Sequence, residues 1–380
     1  MSENQKCPVC GRSVPPGEYC GACGAGLRRR GSPSPGRAYA FAANPGEHVL
    51  QPDVTSALFP HLPQQRSAPF RLALLAVAAA LVVLGYLRLT GALVALAAAS
   101  VPVLYGIYAY EVDVYEGEPV YALGITAGIG ALLGAIWALL TGHYVTQTLV
   151  LGTTPQGAPI GRVLLVAVLF PLVAQLLMLA GPIILRFTRP YKEVLDGFSF
   201  GALSALGFVF TSTLIYLWPE MQSGPVAVAG GTLFALRSLL HGLLVPLVDV
   251  GTTGLVAAAL WLHGRRTRTL PRYGWTTSLW LALAVAAAVQ VGLGLVDILV
   301  TSSTAAILIY VGVAIALLFW VRTALHYMLL SEPADSGVGS DISCSHCGHT
   351  VPSMAFCPNC GIATRATPKP GSRRDNPTTR

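Results

Sequence analysis

Eight cysteines fall in two sets of four with one common spacing: Cys7, Cys10, Cys20 and Cys23 near one end, and Cys344, Cys347, Cys357 and Cys360 near the other. In each set two CxxC pairs are separated by nine residues. A CxxC turn aims two sulfurs at one point, so two such turns offer the four thiolates that a tetrahedral structural zinc ion takes. A glycine follows the second cysteine of every pair (Gly11, Gly24, Gly348 and Gly361), where the backbone must turn tightly. The pattern predicts a small zinc ribbon at each terminus, with Zn2+ as cofactor, one structural ion per ribbon. Four sulfurs leave the ion no open position, so its chemistry is structural rather than catalytic. A module this small has almost no core, and the metal supplies most of its folding free energy. His346 and His349 beside the second set are read as solvated loop residues.

The sequence between the ribbons is of another kind. The chain has 380 residues, 53% hydrophobic and only 11% charged, too few charges to cover a water-soluble domain of that size. Uncharged runs of about 20 residues match the length a helix needs to cross the hydrocarbon core. Spans are drawn at 70–87, 91–110, 120–142, 163–185, 197–218, 239–262, 278–300 and 305–330. The fold class is therefore an all-α polytopic membrane protein of about eight transmembrane helices, with a four-cysteine ribbon at each terminus. The domains read as ribbon 1–26, flexible linker 27–69, helical domain 70–330, linker 331–343, ribbon 344–363 and disordered tail 364–380. The stretch 225–262 is long enough for one span or for a span plus a re-entrant piece.

An even number of spans puts both termini on one side, and the basic loops say which. Arg186, Arg189 and Lys192 follow the fourth span, and Arg265, Arg266, Arg268 and Arg272 follow the sixth. The stretch Tyr144 to Gly161 on the other side has no charge. Cytoplasmic loops are the ones rich in Lys and Arg, so both termini are expected in the cytoplasm of a multi-pass cell-membrane protein. A reducing compartment also favours zinc over disulfides at CxxC pairs. The first apolar run begins at Phe70, behind polar sequence, so no cleavable signal peptide is expected. The net charge of +7 is assigned to topology rather than to nucleic acid. Stacking residues on the ribbons are few, with Arg12 and Tyr19 on the first and Phe356 on the second. The expected partners are the lipid bilayer and, through the ribbons, other proteins.

The middle of the helical region, about 165–300, resembles the PrsW family of intramembrane metalloproteases, a branch of the wider Abi and CAAX-protease superfamily. DGFSFGALSALGFVFTSTLIY, from Asp196 to Tyr216, is similar to the family's DG start, small-residue helix and GF followed by a Glu-Asn pair. Ser212 and Thr213 stand at that pair. FPLVAQLLM, from Phe170 to Met178, resembles the P-L-V-E-E-x-x-K signature, with Ala174 and Gln175 at the glutamates and Met178 at the lysine. RSLLHG, from Arg237 to Gly242, keeps the family's histidine as His241. The last motif, HxxxN, falls on Leu293 and Asp297. The resemblance implies a helical core built for a metal with an open position and a carboxylate base; Ala174, Met178, Ser212 and Leu293 can serve as neither.

His241, Asp249 and Asp297 are the ionisable residues left in the spans, and such residues are functional candidates. They form a residual metal or proton site, or else His241 bonds a neighbouring carbonyl and the aspartates lie hydrated near helix ends. Gly197, Gly201 and Gly207, with Ser204 and Ala205, are read as a packing face of small residues. The reading of function is a catalytically inactive PrsW-like core acting as scaffold, sensor or regulatory partner. The alternative is an active intramembrane metalloprotease with a shifted metal site at the three candidates.

Overall fold

A computed structural model describes residues 4–27, 40–51, 56–57, 64–87, 89–111, 120–151, 160–188, 193–222, 239–263, 276–300, 302–332 and 338–367. The eight apolar runs are helices, as backbone polar groups in lipid must be satisfied within the segment. They are α1 (Gln64–Tyr86), α2 (Thr90–Glu111), α3 (Val120–Leu151), α4 (Phe170–Thr188), α5 (Val194–Gln222), α6 (Val245–Leu262), α7 (Leu279–Leu299) and α8 (Ser303–Ser331). Seven are long and apolar enough to cross a membrane, and α1 carries a shorter apolar stretch, Arg71–Tyr86. Helix α3 continues to Leu151, past the expected span end, because no Pro or Gly interrupts it between Tyr144 and Leu151. The described part of 225–262 is one span; 223–238, where a re-entrant piece was considered, lies outside the described residues.

Helix α5 is the centre of the bundle, packed between α3 and α6. Glycines bring the backbones together: a Cβ at Gly201 would lie 2.8 Å from the Thr253 carbonyl oxygen of α6, and one at Gly197 2.9 Å from that of Ala257. Gly130 and Gly207 likewise set α3 against α5, the close approach that small residues allow in lipid. We expect Gly201→Val to lower stability by roughly 1–3 kcal/mol, because its neighbours there, the Thr253 carbonyl, the Gly254 Cα and the Ala257 Cβ, have no freedom to move aside. Thermal unfolding in detergent measures this, and an unchanged Tm would argue against the close seam.

Two prolines shape the helices around the membrane core. Pro171 offers no N–H to the Ala167 carbonyl, and the preceding turn opens into a π-helix, Leu164–Leu169. Gly294 of α7 lets that helix lie against the same carbonyl, where a Cβ would stand 2.5 Å away. Pro246 likewise follows a π-helical stretch, Leu240–Leu244. The Gly242 carbonyl it leaves accepts instead from Ser100 Oγ of α2 at 3.3 Å.

Outside the bundle, β1 (Gln5–Lys6) pairs with β2 (Ser13–Val14) in the first ribbon, and β5 (Asp341–Ser343) with β6 (Thr350–Pro352) in the second. Within the stretch expected as linker, β3 (Ala40–Phe41) and β4 (Asn44–His48) form a hairpin. It sits on α8. The Arg322 guanidinium pairs with Glu47 at 2.7 Å, donates to the His48 carbonyl at 3.2 Å and to Ser56 Oγ, and lies 4.2 Å from the Phe41 ring centre. His326 is buried, and its Nδ1 accepts the Ala42 N–H at 3.1 Å, so its proton sits on Nε2. Ala363 of the second ribbon donates to the Ala42 carbonyl at 2.9 Å, and the ribbons bond to each other through Tyr19, Pro358, Phe356 and Gly21. The two ribbons are thus in contact with each other and, through the hairpin, with α8.

Candidate functional site

Each ribbon is built from two copies of one turn. In the four knuckles the glycine N–H bonds back to the first cysteine's carbonyl (Gly11 to Cys7, Gly24 to Cys20, Gly348 to Cys344, Gly361 to Cys357) at 2.7–2.9 Å. All four glycines are left-handed, with φ of 70°, 72°, 72° and 78°, the conformation a side chain would resist. The turns bring Cys7, Cys10, Cys20 and Cys23 together, and Cys344, Cys347, Cys357 and Cys360, with all four sulfurs of each set within 4.8 Å of one another. Cross-knuckle S···S distances are 3.8 Å in the first set and 3.9 Å in the second. A tetrahedron with Zn–S bonds of about 2.3 Å has edges of about 3.8 Å, so both donor sets fit zinc. Sharing of protons inside the sets draws Cys20 down to about 5 through its bond with Cys23, and draws Cys344 down through Cys357, while Cys23 and Cys360 are pushed up. Anionic sulfur is what a cation needs there.

The other candidates lie in the bundle. Asp249, on α6, is buried and accepts a hydrogen bond from Gln290 Nε2 of α7 at 2.7 Å. That nitrogen also approaches Gln175 Oε1 of α4 at 3.2 Å and Thr252 Oγ1 at 3.3 Å, sharing two hydrogens among three acceptors. Thr252 Oγ1 lies 3.2 Å from Gln175 Oε1, and Gln175 Nε2 donates to Thr253 Oγ1 at 3.1 Å. The Thr253 hydroxyl lies 3.9 Å from Met178 Sδ. The network thus ties α4, α6 and α7 together with two amides, two hydroxyls and a single carboxylate.

Asp297 does not join it. Two residues from the end of α7, it accepts from the Tyr310 hydroxyl of α8 at 2.9 Å. The backbone of His241 is part of the π-helical stretch before α6; its side chain lies outside the described residues. Met178 packs with Ala205 and Phe208, with Ala174 against them, while Ser212 turns its hydroxyl back onto the Val209 carbonyl at 3.2 Å. Leu293 is buried in the main apolar core. Among the described residues, the groups of three or more His, Cys, Asp or Glu that could hold a metal are the two cysteine sets. Tyr19 and Phe356, considered as stacking residues, are buried between the ribbons.

Sequence reasoning missed Gln290, Thr252 and Thr253. Their signal was available, since a glutamine amid the apolar run of α7 needs a polar neighbour in lipid.

The chain matches no curated protein and no solved structure. Residues 118–322 match the profile of the PrsW family intramembrane metalloprotease, wider than the 165–300 that the motifs suggested and covering α3 to the Arg322 turn of α8. That is more than half of the chain, and the protein belongs to the PrsW family.

Proposed function

We propose that this PrsW-family protein is a catalytically inactive member: a membrane scaffold or sensor whose core is locked by hydrogen bonds and whose zinc is confined to the two ribbons. The observation that carries the reading is the environment of Gln175. At a position where the family signature has a glutamate, its amide is engaged by Gln290, Thr252 and Thr253. Hydrolysis by a metal requires ligands that leave a position open for water and a base to take its proton. The single carboxylate of the network, Asp249, is already occupied by an amide donor. The ribbons hold zinc through Cys7, Cys10, Cys20 and Cys23, and through Cys344, Cys347, Cys357 and Cys360; bound there, the metal fixes the fold of each module. Basic loops after the fourth and sixth spans favour a cytoplasmic location for both ribbons, where they meet protein partners.

One observation favours the second reading, an active protease with a shifted site. A carboxylate, Asp249, is buried on the helix that follows the His241 π-turn, and such turns recur at functional sites. Elemental analysis of the purified chain separates the two. The expected result is two zinc ions per chain, both lost when Cys7, Cys20, Cys344 and Cys357 are replaced by serine. Metal that survives in that variant and disappears with His241→Ala or Asp249→Asn would instead support the protease.

A further inference from the structure

The two ribbons share one numbering offset: each cysteine of the first lies 337 residues before its counterpart in the second, and Tyr19 corresponds to Phe356, Gly24 to Gly361, Gly21 to Pro358 and Gly17 to Met354. The contacts between them obey that correspondence. The Tyr19 N–H donates to the Pro358 carbonyl at 2.9 Å, and reciprocally the Phe356 N–H donates to the Gly21 carbonyl at 2.9 Å. The Tyr19 ring covers Gly361, where a Cβ would lie 2.6 Å from it, and the Phe356 ring covers Gly24 at 3.0 Å. Gly17 faces Pro358 as Gly21 faces Met354. Each of these contacts has a counterpart with the roles exchanged, which is the signature of an isologous interface, here made inside one chain.

The surfaces that meet are the metal-shaped ones. Gly21 and Gly24 belong to the Cys20–Cys23 knuckle, and Pro358 and Gly361 to the Cys357–Cys360 knuckle, so the turn that each metal site imposes is the turn on which the other ribbon docks. The pair is also tied to the bundle. Just past the second knuckle, Ala363 holds the hairpin through Ala42, and Arg365 pairs with Glu332 at 3.3 Å. The other oxygen of Glu332 accepts the Val194 N–H at 2.7 Å, at the first turn of α5. Burial pushes the Glu332 carboxyl up, and the Arg365 guanidinium opposes that shift.

We propose that the two ribbons are one zinc-dependent latch: each metal site stabilises the other across the pseudo-twofold interface, and the closed pair fixes the start of α5 through Arg365 and Glu332. Filling one site supports the knuckle on which the second ribbon docks, and by linkage the reverse holds equally. The proposal rests on the reading of both cysteine sets as zinc sites, and its test keeps the two apart.

The full-length protein in detergent is compared with a Cys344→Ser/Cys347→Ser variant and with Gly17→Val, which keeps all eight thiols but drives a side chain into the Pro358 backbone. Three quantities are read: zinc per chain, the rate of zinc transfer to a chromogenic chelator, and amide exchange at residues 17–24 and at the first turn of α5. Wild type should hold two ions. The cysteine variant should hold one, released roughly 10-fold faster than from wild type, with faster exchange at Tyr19 and Val194. Gly17→Val should hold two ions, both released faster, although no ligand has been removed. An unchanged release rate and unchanged protection of Tyr19 in both variants would overturn the latch. Fewer than two zinc ions in the wild type would overturn the ribbon assignment itself, and the latch with it.

Discussion

Gln290→Leu is expected to cost the bundle about 2–3 kcal/mol, because it leaves the Asp249 carboxyl buried without its donor. The leucine fits the apolar surroundings of α7, so packing alone would make the change mild. The loss comes from the orphaned group. Gln175 keeps a partner in Thr252, which limits the damage on the α4 side. The double variant Gln290→Leu/Asp249→Leu is expected to recover most of the loss, since removing both partners leaves no unpaired polar atom. Unfolding titrations in mixed micelles measure all three proteins. Strictly additive losses in the double variant would show that the two side chains do not act on one another.

The other large effect is expected at Arg322. Its guanidinium is almost wholly buried, and Arg322→Met removes the ion pair to Glu47, the bond to the His48 carbonyl and the contact with the Phe41 ring. Breaking a buried pair from one side costs about 3–5 kcal/mol, since the remaining charge has no counterpart. Glu47→Gln/Arg322→Met removes both charges and is expected to be less damaging than Arg322→Met alone. The readout is amide exchange across Ala40–His48, which should quicken in the single variant if Arg322 anchors the hairpin. Protection equal to wild type would mean that the Ala42–His326 and Ala363–Ala42 bonds suffice.

Parts of this architecture were legible because one local rule decided them. A chain in lipid must bury every backbone polar group within its own segment, so the runs from Gly91 to Tyr108 or from Leu279 to Leu299 could hardly be anything but helices. The cysteine sets were equally plain, since four Cys-x-x-Cys-Gly turns specify both ligand geometry and backbone. The hairpin was not legible. Its two-residue connection is Ala42–Ala43, without the Asn-Gly or Asp-Gly that marks such turns, and it is held by Arg322 from 275 residues further along. The π-turns escaped for a related reason: Pro171 and Pro246 announce a disturbance, but Gly294 and Ser100 on other helices receive the freed carbonyls.

The membrane core shows where spacing misleads. Asp297, which the resemblance set against the family's last motif, has Tyr310 as its partner, and the residue of α7 that reaches Gln175 is Gln290, two turns away. A motif gives positions along a helix. Gln290 and Asp297, seven residues apart, lie on the same side of α7, and which of its turns meets α4 is decided by tertiary packing, with Gly294 between them set against Ala167.

In the function proposed above, the protein keeps its zinc in sulfur cages at the termini and none in the membrane. Zinc-edge X-ray absorption on the full-length protein tests it most directly. The expected result is four sulfur ligands at about 2.3 Å for all of the bound zinc. A population with nitrogen or oxygen ligands at about 2.0–2.1 Å, removed by His241→Ala or Asp249→Asn, would contradict it and return a metal to the bundle.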